Sequence, residues 1–274
     1  MIKYLLFDLD RTLWDFDGNA AVTFRDMFRH YGLAALCNTD FETFHHYYFQ
    51  VNNVLWEGYR NGTVKKEELN IDRFRLPLEH FGLRHCEKLA LELGDYYVQE
   101  GPKRTGLMPG ARQLLQYLQQ PLRQPVQKTA QHSQRLPLQT FPFSAEHSEA
   151  RTSGLQNKIV YQLGVITNGF SEAQWPKMKT SGIYDYFQHF FLSEEIGFMK
   201  PDPRYFDAVL RCLDASPEEV MVIGDDFHVD IAGAQAARIS QIYYNYTSLP
   251  LPQDAVPPTF EIHHLLDIEQ ILLS

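Results

Sequence analysis

Short apolar runs recur along this chain, and small, polar or acidic residues follow several of them. The runs lie at residues 2–9, 163–167, 220–224 and 239–244, with a shorter one at 260–262. Runs of this length predict buried strands, and several of the segments between them have helical spacing of apolar residues. Strands that alternate with helices predict a parallel sheet covered on both faces, which is a doubly wound, Rossmann-like α/β fold.

Residues 16–105 differ from this pattern, because they show helical periodicity and no convincing strand. We expect the first helix to end at Gly32 and the second to be capped by Thr39 or Asp40. A third helix near 65–81 should be kinked or ended by Pro77. The segment is therefore interpreted as a helical domain inserted after the first strand.

The remaining residues, 1–15 and 106–274, are assigned to the core domain that carries the sheet. Within it, residues 121–157 are rich in Gln, Ser, Pro and Thr and show little periodicity. This composition predicts a flexible surface insertion. The insertion either hangs free or shields the core, and the sequence leaves a binding role open.

Composition limits the classes of partner. The formal net charge of −9 argues against non-specific nucleic-acid binding, which depends on clustered Lys and Arg. No apolar run approaches the roughly 20 residues that span a bilayer. The three cysteines are far apart and odd in number, which predicts no disulfide framework and fits a reducing cytoplasm. We expect a cytoplasmic monomer or homodimer with a small-molecule substrate.

Asp8 and Asp10 follow the first apolar run, in the segment FDLDRTL. Alternate residues of a strand point to the same side, so both carboxylates are expected on one face. Two such groups repel each other unless a cation lies between them, and Mg²⁺ prefers oxygen ligands. A carboxylate can also attack phosphorus. The alternative is that DLD only ends a strand and begins a turn.

Polar residues follow the later apolar runs as well. Taken singly they fit an Asn-Gly turn, a solvated loop lysine and a helix N-cap. Taken together they supply hydroxyl and amide donors, a cation and a second carboxylate group, which complete a phosphoryl-transfer set. These residues are Thr167, Asn168, Lys200, Asp225, Asp226 and Asp230.

The segments FDLDRTL, ITNG, MKPDP and GDDFHVD resemble, in order, the four motifs of the haloacid dehalogenase superfamily. The resemblance implies a Rossmann-like core with a helical cap domain at 16–105. It implies that Asp8 is the nucleophile and a Mg²⁺ ligand, and that Asp10 is the general acid and base and binds the ion through its carbonyl. Asp225 would be a further ligand, and Asp230, or else Asp226, would support the metal or Lys200.

The same resemblance implies that Thr167 and Asn168 hold the phosphoryl oxygens and that Lys200 neutralises the nucleophile and the phosphate. Arg11 departs from the pattern, because a glycine or another small or polar residue usually stands at that position. Its side chain is expected to pair with an acid or to reach the leaving group.

A closer similarity is to the pyrimidine 5′-nucleotidases, on the segments LWDFD, YRNGTVKKEEL, PKRTGLMPGA and ITNGFSEAQ. It implies hydrolysis of nucleoside 5′-monophosphates. A sugar-phosphate phosphatase, a phosphomutase and a non-catalytic phosphometabolite-binding protein are the alternatives. Side chains that could meet the substrate, or else form ordinary core, are Arg11, Trp14, Phe16, Trp56 and Tyr59.

Overall fold

The computed structural model describes residues 1–120, 122–123, 158–159 and 161–273. The predicted insertion at 121–157 therefore lies outside the described residues, apart from the two-residue strand β2, Leu122–Arg123. That strand pairs antiparallel with β3, Lys158–Ile159.

Within the described residues, six parallel strands form the central sheet, and the predicted fold class is confirmed. In chain order the strands are β1, Tyr4–Phe7; β4, Gln162–Thr167; β5, His189–Leu192; β6, Val220–Gly224; β7, Ser240–Tyr244; and β8, Phe260–Ile262. Their order across the sheet is β5, β4, β1, β6, β7, β8.

Both faces of the sheet are buried, which is why the central strands are continuously apolar. In β1, Leu5 and Phe7 pack into one core cluster and Leu6 into another on the opposite face. Helix α6, Ala111–Leu118, adds four buried residues to the first cluster. Helix α9, Pro203–Leu213, covers the second.

Strand β5 was not predicted, because its two aromatic residues and one leucine are too short a run to indicate a strand alone. It is an edge strand that pairs only with β4 among the described strands. The short helix α8, Ser193–Ile196, follows it. The prediction that Lys200 directly follows a strand is therefore wrong, since it lies in the loop between α8 and α9.

Five helices between β1 and α6 form a separate cluster, here called the helical bundle. They are α1, Phe16–His30; α2, Leu33–Leu36; α3, Phe41–Arg60; α4, Lys66–His80; and α5, Glu87–Glu100. Fully buried Phe24, Phe44 and Phe74 lie at its centre. The bundle thus has a hydrophobic core of its own.

Local signals set most of the bundle's boundaries. Gly32 follows α1 with a φ of 63°, the left-handed conformation that glycine tolerates best. The Asp40 carboxylate accepts a hydrogen bond from the Thr43 N–H at the start of α3. Pro77, expected to kink or end a helix, instead lies within α4. The helix continues because burial of Pro77 and Leu78 in the bundle compensates for the lost hydrogen bond.

The other helices are α7, Ser171–Thr180; α10, Ala232–Ala236; and α11, Asp267–Leu273. None of the helices in the described ranges has the length and apolarity needed to cross a membrane.

Candidate active site

A cavity of about 490 Å³ lies where the carboxyl ends of the central strands face the helical bundle. Ligands of open parallel sheets bind at this edge. Most of the predicted site residues line it: Asp8, Asp10, Arg11, Trp14, Phe16, Trp56, Thr167, Asn168, Lys200, Asp225, Asp226 and Asp230. Tyr59 does not line the cavity, and its ring packs edge-on against Phe170.

Lys200 is 1% exposed, and its ammonium is fully engaged. It donates to Asp8 Oδ1 at 2.7 Å, to Asp230 Oδ1 at 2.6 Å and to the Ile166 carbonyl at 3.1 Å. A buried charge is tolerated only with partners of this kind. The lysine therefore joins the end of β1 to the segment after β6.

Asn168 holds the backbone of Lys200 in place. The Lys200 N–H donates to Asn168 Oδ1 at 2.9 Å, and Asn168 Nδ2 donates to the Lys200 carbonyl at 2.8 Å. The neighbouring Thr167 Oγ1 accepts from the Gly169 N–H at 3.1 Å. Among the described residues, one N–H of the amide and the threonine O–H have no acceptor, so both are available to donate into the cavity.

Asp8, Asp225 and Asp230 place carboxylate oxygens within 4.8 Å of one another. Burial raises the pKa of Asp8 to about 7, with Lys200 opposing and Asp230 adding to the effect. Burial also raises the pKa of Asp225 and that of Asp230, and the Asp8 charge adds to the shift at Asp225. Without a further cation, the single ammonium of Lys200 does not balance three ionised carboxylates.

The free oxygens of this cluster suit a hard divalent ion. Asp225 Oδ1 accepts from Thr12 Oγ1 at 2.9 Å, and within the described residues Oδ2 of Asp8 and Oδ2 of Asp225 accept no hydrogen bond. Both oxygens of Asp230 are used, by Lys200 and by the Asp226 N–H. Mg²⁺ therefore fits Asp8 and Asp225, and Asp230 supports Lys200.

Asp226 caps the helical turn that follows β6. Its Oδ1 accepts from the N–H groups of His228 and Val229. Gly224, which precedes Asp225 and Asp226, lies against the side chain of Asp230. A Cβ on Gly224 would lie 2.4 Å from Oδ2 of Asp230. The glycine leaves room for the carboxylate that binds Lys200.

The Asp10 carboxylate is held by two residues that sequence analysis missed. Lys177 Nζ lies 2.7 and 2.9 Å from its two oxygens, and Gln174 Nε2 donates at 2.9 Å. Both residues are buried on α7, and the ammonium also lies 4.4 Å from the Trp14 ring centroid. Their signal in the sequence was two polar residues three positions apart, on one face of the helix after ITNG.

Asp10 reaches the cavity through a turn rather than through strand alternation. β1 ends at Phe7, so the expectation based on alternate residues gave the right side for the wrong reason. Arg11 has a φ of 67°, a conformation that favours glycine. Its guanidinium forms an ion pair with Asp17 and lies 4.5 Å from the Phe16 ring centroid.

Two predicted tryptophans and several residues that were not predicted complete the cavity wall. Trp56 stacks on Phe170 with ring centroids 5.0 Å apart. The Trp14 ring is buried, and its Nε1 donates to the Arg104 carbonyl. The additional polar residues in the wall are Asn52, Asn53, Arg60, Arg73 and Tyr97.

The sequence-family model of the haloacid dehalogenase-like hydrolases matches residues 141–238 of this chain. The HAD-hydrolase YfnB of Bacillus subtilis is 26% identical over 98% of this chain and 95% of its own length. Pyrimidine 5′-nucleotidase PynA of Streptococcus pneumoniae is 28% identical over 97% of this chain and 93% of its own length. Pyrimidine 5′-nucleotidase YjjG of Escherichia coli is 26% identical over 98% of this chain and 97% of its own length.

Solved structures of related proteins have the same fold as this chain. The crystal structure of Bacillus subtilis YfnB bound to magnesium superposes with a TM-score of 0.75 and 25% identity, covering 99% of this chain and 98% of that one. L-2-haloacid dehalogenase from Xanthobacter autotrophicus, at a TM-score of 0.65 and 16% identity over 99% and 98%, shows the same fold. The chain thus has the α/β fold of the haloacid dehalogenase-like hydrolases. Its sequence is similar to theirs, through the family model over residues 141–238 and through relatives of 26–28% identity over nearly the whole chain.

Proposed function

We propose that this protein is a magnesium-dependent phosphatase that hydrolyses small phosphomonoesters, nucleoside 5′-monophosphates in particular, through an aspartyl-phosphate intermediate. The observation that carries the proposal is the Asp8 carboxylate. One oxygen is held by the buried Lys200, while the other is free beside Asp225 in the cavity. A carboxylate held in this way is oriented to act as a nucleophile.

In the first step, the Asp8 carboxylate attacks phosphorus and forms a P–O bond, while the P–O bond to the leaving group breaks. Asp10 acts as the general acid and gives a proton to the leaving oxygen. In the second step, Asp10 accepts a proton from the attacking water, and the acyl phosphate bond breaks to give inorganic phosphate and free Asp8.

Asp8 and Asp225 would hold Mg²⁺, with the Asp10 carbonyl as the ligand implied by the family resemblance. When bound, the ion supplies positive charge that offsets the phosphoryl and carboxylate charges. The ammonium of Lys200 orients Asp8 and offsets charge on the phosphoryl oxygens. The Thr167 O–H and the free N–H of Asn168 donate to the same oxygens.

The nucleotide preference is supported by relatives over nearly the whole chain, since two of them are pyrimidine 5′-nucleotidases. A sugar-phosphate phosphatase is the second candidate. Glyceraldehyde 3-phosphate phosphatase of Methanothermobacter thermautotrophicus is 36% identical, but over only 40% of this chain. We take the helical bundle to be the cap domain that contacts the leaving group, because its residues form the cavity wall opposite the carboxylates.

A screen of phosphomonoesters with Mg²⁺, with and without EDTA, tests the proposal. We expect turnover of UMP and TMP, loss of turnover in EDTA, and no turnover by Asp8→Asn, because an amide is not a nucleophile here. Asp207→Asn, at an exposed position of α9, is the matched control. Near-normal hydrolysis by Asp8→Asn would refute the mechanism. Turnover of sugar phosphates alone would refute the nucleotide preference.

A further inference from the structure

Arg73 of α4 is a buried cation in the cavity wall. It is 5% exposed, and within the described ranges no carboxylate forms an ion pair with it. Its Nε atom has no hydrogen-bond partner there either. The cations nearer the carboxylates differ, since Arg11, Lys177 and Lys200 are each paired with an aspartate. Leaving a buried donor unsatisfied is costly, which points to a partner that the protein does not itself supply.

Two aromatic rings lie beside the guanidinium of Arg73. The guanidinium carbon lies 5.2 Å from the Tyr97 ring centroid and 5.5 Å from that of Phe74. Burial raises the pKa of the Tyr97 hydroxyl. The charge of Asp10 adds to this shift, and the charge of Arg73 opposes it. Tyr97 therefore lies beside Arg73, and both residues line the same cavity as Asp10 from the side of the helical bundle.

Asn52 of α3 adds a second set of donors. It is buried, it lines the same cavity, and its Oδ1 accepts from the Tyr48 hydroxyl at 3.5 Å. Burial raises the pKa of Tyr48 to about 12, and the charge of Arg73 and a hydrogen bond from Arg73 to the Tyr48 hydroxyl oppose the shift. The Nδ2 of Asn52 donates no hydrogen bond within the described part of the chain. Among the described residues, the Nε of Arg73 and the Nδ2 of Asn52 are therefore N–H donors without an acceptor.

We propose that Arg73 and Asn52 form a leaving-group subsite that binds a ring carbonyl oxygen of a pyrimidine base. The proposal rests on the proposed nucleotidase function and deepens it. A guanidinium only donates, and a ring carbonyl only accepts, whereas a ribose hydroxyl does both. A site built to pair with such an oxygen discriminates strongly against leaving groups that lack it, because its donors are then buried unpaired.

The test compares kcat/KM for UMP with that for ribose 5-phosphate, which carries no base. In Arg73→Met, the value for UMP falls about 10- to 100-fold and that for ribose 5-phosphate changes less than about threefold. Arg73→Lys is intermediate, because a lysine keeps the charge and loses the planar fork. Arg75→Met is the matched control on the same helix, since Arg75 pairs with Asp72 and Glu79 on the surface, and it leaves both values unchanged.

If kcat/KM falls equally for both substrates, or changes for neither, Arg73 has no role in binding the base and the subsite is overturned. If Arg73→Met does not fold, the same comparison of kcat/KM for UMP and ribose 5-phosphate is made with Asn52→Leu and Arg73→Lys. The two proposals fail separately. A wild-type enzyme that hydrolyses ribose 5-phosphate but not UMP contradicts the nucleotidase function. A wild-type preference for UMP that persists in Arg73→Met contradicts only the subsite.

Discussion

The ammonium of Lys177 lies 2.7 Å from one carboxylate oxygen of Asp10 and 2.9 Å from the other. The proposed nucleophile is held in the same way, by Lys200 at 2.7 Å from Asp8. The two carboxylates are thus oriented by lysines from different parts of the chain. Each lysine is buried, so each pair is screened less by solvent than an exposed one.

Loss of the Lys177 side-chain charge should slow chemistry more than it weakens binding. In Lys177→Met, we expect kcat to fall about 10- to 100-fold with KM changed less than about threefold, because Asp10 loses its orientation. Lys177→Arg should recover part of kcat. Lys179→Met, at an exposed position of the same helix, is the control. A rise in KM at unchanged kcat would contradict a role in positioning Asp10.

Removal of Lys200 should destabilise the fold as well as abolish activity. Lys200→Met leaves Asp8 and Asp230 buried without their cation, which costs about 3–5 kcal/mol of unfolding free energy in metal-free protein near neutral pH. Urea titration of both proteins in EDTA measures the difference. Lys3→Met breaks an exposed pair with Glu219 and is the control, because an exposed ion pair contributes little to stability. Equal losses of unfolding free energy in the two variants would refute the role of Lys200 as the counter-ion of Asp8 and Asp230.

Magnesium should stabilise the protein in a pH-dependent manner. The folded-state pKa of Asp8 is raised from 3.8 to about 7, so the folded metal-free protein binds more protons than the unfolded chain between these values. The contribution of this group to stability is therefore largest at low pH and is lost as pH rises through that window.

Because Mg²⁺ needs the ionised carboxylates, its effect on Tm should increase over the same pH range. At about 100 times its Kd, the ion adds about 2.7 kcal/mol, which corresponds to a Tm increase of about 5–10 °C. Thermal melts with Mg²⁺ and with EDTA from pH 5 to pH 8 measure the effect. Asp225→Asn should reduce the gain in Tm. A gain that does not depend on pH, or that persists in the variant, would contradict the site.

Gly224→Ala should disturb Lys200 indirectly. The added Cβ would lie 2.4 Å from Asp230 Oδ2, so the carboxylate must move away from the lysine. We expect kcat to fall at least about tenfold and Tm to decrease. Steady-state kinetics and a melt measure both. Wild-type kinetics in this variant would show that the position of Asp230 is not important for the site.

Much of the sheet and of the carboxylate centre could be predicted from local sequence. The central strands are continuous apolar runs because both of their faces are buried, and Asp8 and Asp225 follow two of them directly. Asp40 and Gly32 also act locally, as a cap and a stop. Such features depend on residues within a few positions of each other, which is why the pattern alone indicates them.

The sequence by itself determined the α/β order of elements, and it indicated which carboxylates and which lysine lie at the edge of the sheet. Only the tertiary structure decided that strand β5 forms, that α4 continues through Pro77, and that Lys177 and Arg73 face the cavity. These outcomes depend on packing between segments far apart in the chain. Burial at such contacts overrides weak local preferences, and no local pattern reports which buried charge finds a partner.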